Sequence, residues 1–316
     1  MNKSERKIVI ITRETRVDGL IRQFNNIAQA EFYVEKMGGD FADYKRESAR
    51  YKDAVSGSYE QLEQLAHVQR LDREYVPQYI FGADDIVVVI GQDGLVANTL
   101  KYLREQPLIA VNPDPARYDG VLLPFKESDL TAVVRDVIAG RRQFKQVTMA
   151  QATLNNGQTM LAVNDLFIGR NTHVSARYNL NVGGRNENQS SSGIIVSTGL
   201  GRTGWLKSVV AGATGVAAAL GEDMSGAAKR LTSASGSREW ASDTLYYSVR
   251  EPFPSKVTGT SLVFGQVPPG NPLTVTSQMP ESGVIFSDGI EQDFLQFTSG
   301  ITATISIAPQ KGRLVV

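Results

Sequence analysis

The run Ile86-Val87-Val88-Val89-Ile90 constrains the fold of this chain more than any other stretch. Five β-branched residues with no polar interruption suit a strand buried on both faces, as in a parallel sheet covered by helices. The run passes straight into Gly91-Gln92-Asp93-Gly94, and the helix-compatible segment LVANTLKYLR follows. Similar alternation surrounds it. KIVIIT (7–12) and PLIAVN read as strands, while LIRQFNNIAQAEFYVEKMGG (20–39) reads as one helix closed by Gly38-Gly39. Segment 40–56 is polar and ambiguous, and SYEQLEQLAHVQRL (58–71) reads as a further helix. SDLTAVVRDVIAG reads as a helix with Ser128 as its N-cap and Gly140 just past its end.

After about residue 145 the texture changes to short apolar runs separated by Gly, Asn, Asp or Pro, among them VSARYNLNVGG, GIIVST, TLYYSVREPF and SGVIFSDG. That rhythm predicts an antiparallel, β-rich domain. One helical island, WLKSVVAGATGVAAAL (205–220), interrupts it, and its small residues predict close packing against a sheet. The expected fold class is therefore an α/β N-terminal domain, a parallel sheet with flanking helices over 1–145, followed by a β-rich C-terminal domain over 146–316.

Composition excludes several chemistries. The chain has no cysteine, which removes disulfides and thiol catalysis, and its two histidines are His67 and His173. Lys+Arg and Asp+Glu both number 33, so charge gives no reason to expect nucleic acid or a membrane surface as partner. No apolar run approaches the roughly 18 residues a spanning helix needs. The N-terminus MNKSERK is too short before the first strand for an export signal, which predicts a cytoplasmic protein. His67 falls on a helix-like stretch and reads as a solvated surface residue.

Three stretches can carry chemistry. In GQDG, Asp93 is either a turn residue or a carboxylate that accepts a proton from a hydroxyl, and the exposed N–H groups before a helix suit an anion. GLGRTG (199–204) is a literal G-x-G-x-x-G after a strand and before a helix. The acidic pair Glu222-Asp223 lies near the spacing of a dinucleotide-binding unit, but in LGEDMSGAAKRL rather than at a second strand end, so the loop is left to packing or ligand contact. In AVNDLFIG (162–169) the pair Asn164-Asp165 interrupts an apolar run, either as a turn or as a polar pair facing a ligand, with His173 a few residues on.

Taken in order, GQDG, VNPDP, VNDLFIG, SSGIIVSTGLGRTGW and the late SDG resemble the motif series of the NAD kinase family. The version is closest to the divergent branch that includes the animal mitochondrial enzyme, where a phrase like YSVREP (247–252) follows. The resemblance covers about residues 6–316 and implies the two-domain fold of that family. It implies phosphorylation of the adenosine ribose 2′-hydroxyl of NAD, with ATP or another phosphoryl donor and Mg²⁺, and no protein-borne metal site. Asp93 would be the carboxylate beside the nucleophilic hydroxyl. Gly91, Gln92 and Gly94 would line the phosphates, with Arg13 or Arg16 as the cation that meets them and Arg202 as a further contact. Asn164 and Asp165 would bind ribose hydroxyls, Ser192 would sit near the nicotinamide riboside, Thr203, Gly204 and Trp205 would lie against the adenine, and Thr198 would be a further substrate-binding residue. Small-molecule nucleotides are the implied partners, in a homodimer or homotetramer. Two features depart from the family pattern: Gln92 stands for the second glycine of GGDG, and Arg202 interrupts the third box. They leave open a nucleotide-binding or sensing protein without turnover, or a related kinase with another hydroxyl acceptor.

Overall fold

The computed structural model describes residues 3–233 and 237–316 and divides the chain into two units, Met1–Phe144 with Arg313–Val316, and Lys145–Gly312. The last four residues thus belong with the first unit rather than the second.

In the first unit β1 (Ser4–Thr12) leads to α1 (Arg16–Phe24), α2 (Ile27–Lys36) and α3 (Phe41–Glu63). Then come β2 (Ala66–Asp72), β3 (Ile86–Ile90), α4 (Asp93–Leu100), β4 (Leu108–Val111) and α5 (Leu130–Ile138). The strands form a parallel sheet in the order β2-β1-β3-β4, and Leu314 adds a parallel rung beside Leu108. Ile8, Ile10, Ile86, Val88 and Ile90 turn one face of the sheet toward Tyr51, Val55 and Leu62 of α3 and Val133, Val134 and Val137 of α5. Every residue of β3 is fully buried, as a run without alternation requires.

Three local expectations are corrected. The helix expected over 20–39 is two, because Asn25 adopts a left-handed φ of 64° and Asn26 starts α2 by accepting the Gln29 N–H at 2.8 Å. The helix expected over 58–71 ends at Glu63, and His67 lies, exposed, on β2. There the spacing Leu62, Leu65, Val68, Leu71 mimics a helical stripe, while parallel pairing with β1 decides for strand. Ser128 does not cap α5. It sits inside a 3₁₀ turn over Glu127–Asp129, and Asp129 accepts the Lys126 N–H at 2.9 Å.

The second unit contains β5 (Phe144–Leu154), β6 (Thr159–Ala162), β7 (Asp165–Arg170), β8 (Ala176–Val182), β9 (Arg185–Ser191) and β10 (Ile194–Ser197). After them come α6 (Trp205–Ala219), α7 (Ser225–Thr232), α8 (Ser237–Trp240), β11 (Leu245–Val249) and β12 (Phe264–Val267). The chain closes with β13 (Leu273–Ser277), β14 (Gly283–Ser287), β15 (Ile290–Gln296) and β16 (Thr302–Val315). An antiparallel sheet runs β12-β11-β10-β7-β14-β15, and β16, β13, β8 and β9 pair in sequence in the other. Tyr178, Leu180, Val275 and Ile305 meet Leu166, Ile168, Val196, Tyr247 and Ile285 in the core between them. The expectation that α6 packs on a sheet holds only for its first turn, where Trp205 lies against Phe167 and Leu206 is buried; farther on, Val216 is 63% exposed. Small side chains have little area to bury, so their abundance alone did not require a sheet contact. No helix is long and apolar enough to cross a membrane among the described residues.

Candidate functional site

In the first unit the carboxyl ends of β1 and β3 carry the candidate phosphate residues, the usual ligand edge of an open parallel sheet. Gly91 and Gln92 turn β3 into α4, and Asp93 is the first residue of that helix, where a negative charge suits the helix dipole. Its carboxylate accepts the backbone N–H of Leu122 at 2.8 Å and that of Val121 at 3.1 Å. Each oxygen of an ionised carboxylate has two lone pairs, so each keeps acceptor capacity. Gly94 opens onto empty space, which leaves the helix start accessible. Gln92 has ordinary extended angles, φ −117° and ψ 163°, and its side chain bonds the Tyr118 hydroxyl.

Tyr118 joins this turn to a cluster built on Glu47 of α3. Glu47 accepts from Arg13 Nη2 at 2.9 Å, from Arg16 Nε at 2.6 Å and from the Tyr118 hydroxyl at 3.0 Å. Burial pushes the Glu47 carboxyl up, but these donors outweigh it and hold it below the ordinary carboxylate range. Two guanidinium groups thus share one carboxylate. Arg13 has a side chain only 10% exposed, its backbone N–H on the Tyr51 hydroxyl at 2.8 Å and its guanidinium above the Tyr51 ring. Arg16 is 42% exposed and lies over the Tyr44 ring, so it is the freer cation.

In the second unit, strand register assembles the other candidates. Asp165 opens β7, opposite Ser197 on β10, and Ser287 ends the neighbouring β14. The two-residue turn Asp288-Gly289, with φ 53° and 75°, closes the β14–β15 hairpin. Asp288 turns its carboxylate onto three backbone N–H groups: Val163 at 3.0 Å, Asn164 at 2.7 Å and Asp165 at 3.2 Å. The Asn164-Asp165 corner is therefore fixed, and the half-buried Asn164 side chain has no partner among the described residues. Asp165 accepts from the Ser197 hydroxyl and the Trp205 backbone N–H, which ties β7 to the start of α6. Burial pushes the Asp165 carboxyl up to about 7, the Asp288 charge adds to this, and the two donors oppose it.

This buried acid makes stability depend on pH. Its folded value is above the unfolded value of about 3.9, so its contribution is complete below about pH 4 and is lost as pH rises through about 7. Asp165→Asn, which imitates the neutral acid, removes that dependence. Relative to the parent, the variant gains about 2–4 kcal/mol at pH 8 over pH 5, read by urea unfolding at both; an equal difference at the two pH values contradicts it.

GLGRTG serves packing. A β-carbon on Gly201 would overlap the backbone oxygen of Asn164, and one on Gly199 the backbone oxygen of Glu239. Thr198, fully buried, spends its hydroxyl on Val163 O at 2.6 Å and on the Gly201 N–H at 3.1 Å. Gly201→Ala is expected to cost about 1–3 kcal/mol by forcing backbone apart. Gly94→Ala, in open space, stays within about 0.5 kcal/mol in the same unfolding measurement. Thr203 and Gly204 are exposed at the head of α6, and Trp205 stacks on Phe167 with ring centroids 5.7 Å apart. Ser192 donates its backbone N–H to Arg250 O at 2.9 Å. Arg202 is committed inward, to Glu239 at 3.1 Å, to Ser233 O at 2.9 Å and over the Tyr246 ring. His173 is exposed beyond β7 and carries none of these contacts.

Sequence reasoning missed Glu47, Tyr118 and Ser197, and left Asp288 without a role. Glu47 had a signal, since it lies three residues after Tyr44 and four before Tyr51, on the apolar stripe of α3. Tyr118, in a loop, had none. No group of three or more metal-ligating side chains occurs among the described residues. Mg²⁺ commonly takes only one or two protein carboxylates and completes its shell with nucleotide phosphates and water, and Asp93 with its spare lone pairs fits one such contact.

No protein-family model matches the chain, and no curated protein does. Solved structures do match. Yeast NADH kinase complexed with NADH is similar over 99% of this chain and 84% of that one, with 15% identity and a TM-score of 0.57. An NAD kinase from Archaeoglobus fulgidus in complex with ATP is similar over 98% of this chain and 93% of that one, with 15% identity and a TM-score of 0.56. The chain has the NAD kinase fold.

Proposed function

We propose that this protein is an NAD kinase: it transfers the γ-phosphoryl group of ATP to the adenosine ribose 2′-hydroxyl of NAD. The single observation that carries this reading is Asp93, a carboxylate with spare lone pairs at the end of a buried parallel strand, in a chain with the NAD kinase fold. In the step, the ribose oxygen bonds to the γ-phosphorus, the bond from that phosphorus to the bridging oxygen of ADP breaks, and the hydroxyl proton passes to Asp93. Phosphoryl transfer needs positioning and charge neutralisation more than covalent chemistry. Arg16 supplies positive charge to the donor phosphates, with Arg13 anchored behind it on Glu47. The exposed backbone at Gln92 and Gly94 lines those phosphates, and buried Gly91 supports the turn beneath them. Mg²⁺, when bound, neutralises charge on the transferring group. Asn164 and Asp165 hydrogen-bond ribose hydroxyls, Thr203, Gly204 and Trp205 meet the nucleoside, and Ser192 serves the nicotinamide riboside. The committed side chains of Arg202 and Thr198 suit them to shaping this set from behind.

The test is turnover: with NAD⁺, ATP and Mg²⁺ the protein forms ADP and NADP⁺ in equal amounts, the latter read by an NADP⁺-specific dehydrogenase. ADP without NADP⁺ contradicts the acceptor assignment. A second reading, an NAD(P)-binding protein without turnover, is favoured by one fact: both Asp93 oxygens already hold a backbone N–H. Calorimetric binding of NAD(P) with no product from ATP, GTP or polyphosphate would select it. The fold leaves assembly and cellular compartment to experiment; a homodimer or homotetramer in the cytoplasm is the form we propose.

A further inference from the structure

We infer that Arg250 receives a phosphate of the dinucleotide, an assignment that rests on the proposed function and adds a binding residue to it. Arg250 directly follows β11, and its backbone is held at both ends. Its N–H donates to Gly193 O at 2.8 Å, and its carbonyl accepts the Ser192 N–H at 2.9 Å. The next residue, Glu251, has a left-handed φ of 47°, a conformation that a non-glycine residue keeps only where its surroundings impose it. The side chain is aimed as well as anchored: its guanidinium lies over the Trp205 ring, 5.2 Å from the centroid. Trp205 is itself fixed, by its backbone N–H on Asp165 and by the stacking of its ring on Phe167, which in turn stacks on Phe286 at 4.8 Å.

The remaining property is chemical. Arg13, Arg16 and Arg202 each have a carboxylate partner. The half-buried Arg250 guanidinium has neither an ion pair nor a hydrogen-bond acceptor among the described residues. Five N–H donors held on the Trp205 ring, whose residue also meets Asp165 through its backbone N–H, form a fork suited to two oxygens of one phosphate. A dinucleotide offers such a group in its diphosphate. Adenosine, without phosphate, offers none, and that difference supplies the test.

Calorimetric titration of the parent, Arg250→Met and Arg250→Lys with NAD⁺ and with adenosine reads the assignment. Arg250→Met is expected to weaken NAD⁺ about tenfold or more, as loss of a charge-assisted contact does, and to leave adenosine within about twofold. Arg250→Lys, which keeps a point charge without the fork, is expected to fall between. A dissociation constant for NAD⁺ within about twofold of the parent in Arg250→Met overturns the assignment, and so does an equal loss for adenosine. A circular-dichroism melt of both variants confirms that the folded protein is compared; if the methionine variant does not fold, a lysine variant indistinguishable from the parent overturns it. A parent that binds no NAD⁺ removes the proposed function and this assignment together. Binding by the parent that survives in Arg250→Met removes this assignment alone.

Discussion

Asp93→Asn is expected to lower NADP⁺ formation at least about 100-fold, the low end of what loss of a general base costs. The substitution keeps shape and removes the proton acceptor. It has a structural side effect that must be separated from chemistry. Asp93 now accepts two N–H groups, and an amide has a single acceptor oxygen, so one of Val121 and Leu122 loses its partner. An unmade bond of that kind costs about 1–3 kcal/mol, which shifts the unfolding midpoint without abolishing folding. The expected signature is therefore a folded protein that binds NAD⁺ within a few-fold of the parent and barely turns it over. Turnover equal to the parent's would remove Asp93 from the chemistry and leave it the turn residue that its Asp-Gly context equally allows.

Glu47→Ala is expected to destabilise the first unit by about 3–5 kcal/mol at pH 7, because removing one partner of a buried pair strands the other charge. Arg13, 10% exposed, would lose its carboxylate, and the Tyr118 hydroxyl an acceptor. The pH dependence has a definite sign. The Glu47 carboxyl is held below its unfolded value, so its contribution is present above the unfolded value and is lost as pH falls through the folded one. Urea unfolding should show the variant far below the parent at pH 7, with the gap closing in acid. A gap under about 1 kcal/mol at pH 7 would mean that Arg13 finds another partner or solvent.

How far the sequence carried the reading follows from range. β3 was legible because an unbroken β-branched run has few homes other than a buried strand, and α4 because Gly91 precedes it and an acid, Asp93, opens it. The two-helix break at Asn25-Asn26 and the strand at His67 were not, since both turn on tertiary choices that a local apolar repeat disguises. Among site residues, Asp93 and the Asn164-Asp165 pair stood out as polar groups in apolar surroundings. The reason for the GLGRTG glycines was hidden, because the carbonyls they clear belong to Asn164 and Glu239, 37 and 40 residues away from Gly201 and Gly199 respectively. Arg202 and Arg250 looked alike in sequence. Only the fold separates an arginine neutralised by Glu239 from one held over Trp205 without a counter-ion among the described residues.

The most direct measurement uses ATP labelled in its γ-phosphate, NAD⁺ and Mg²⁺, with the dinucleotide product isolated and the labelled position assigned by phosphorus NMR. The account predicts label in a single monoester on the adenosine ribose 2′-oxygen. Label found only in inorganic phosphate, or on another hydroxyl, would contradict it.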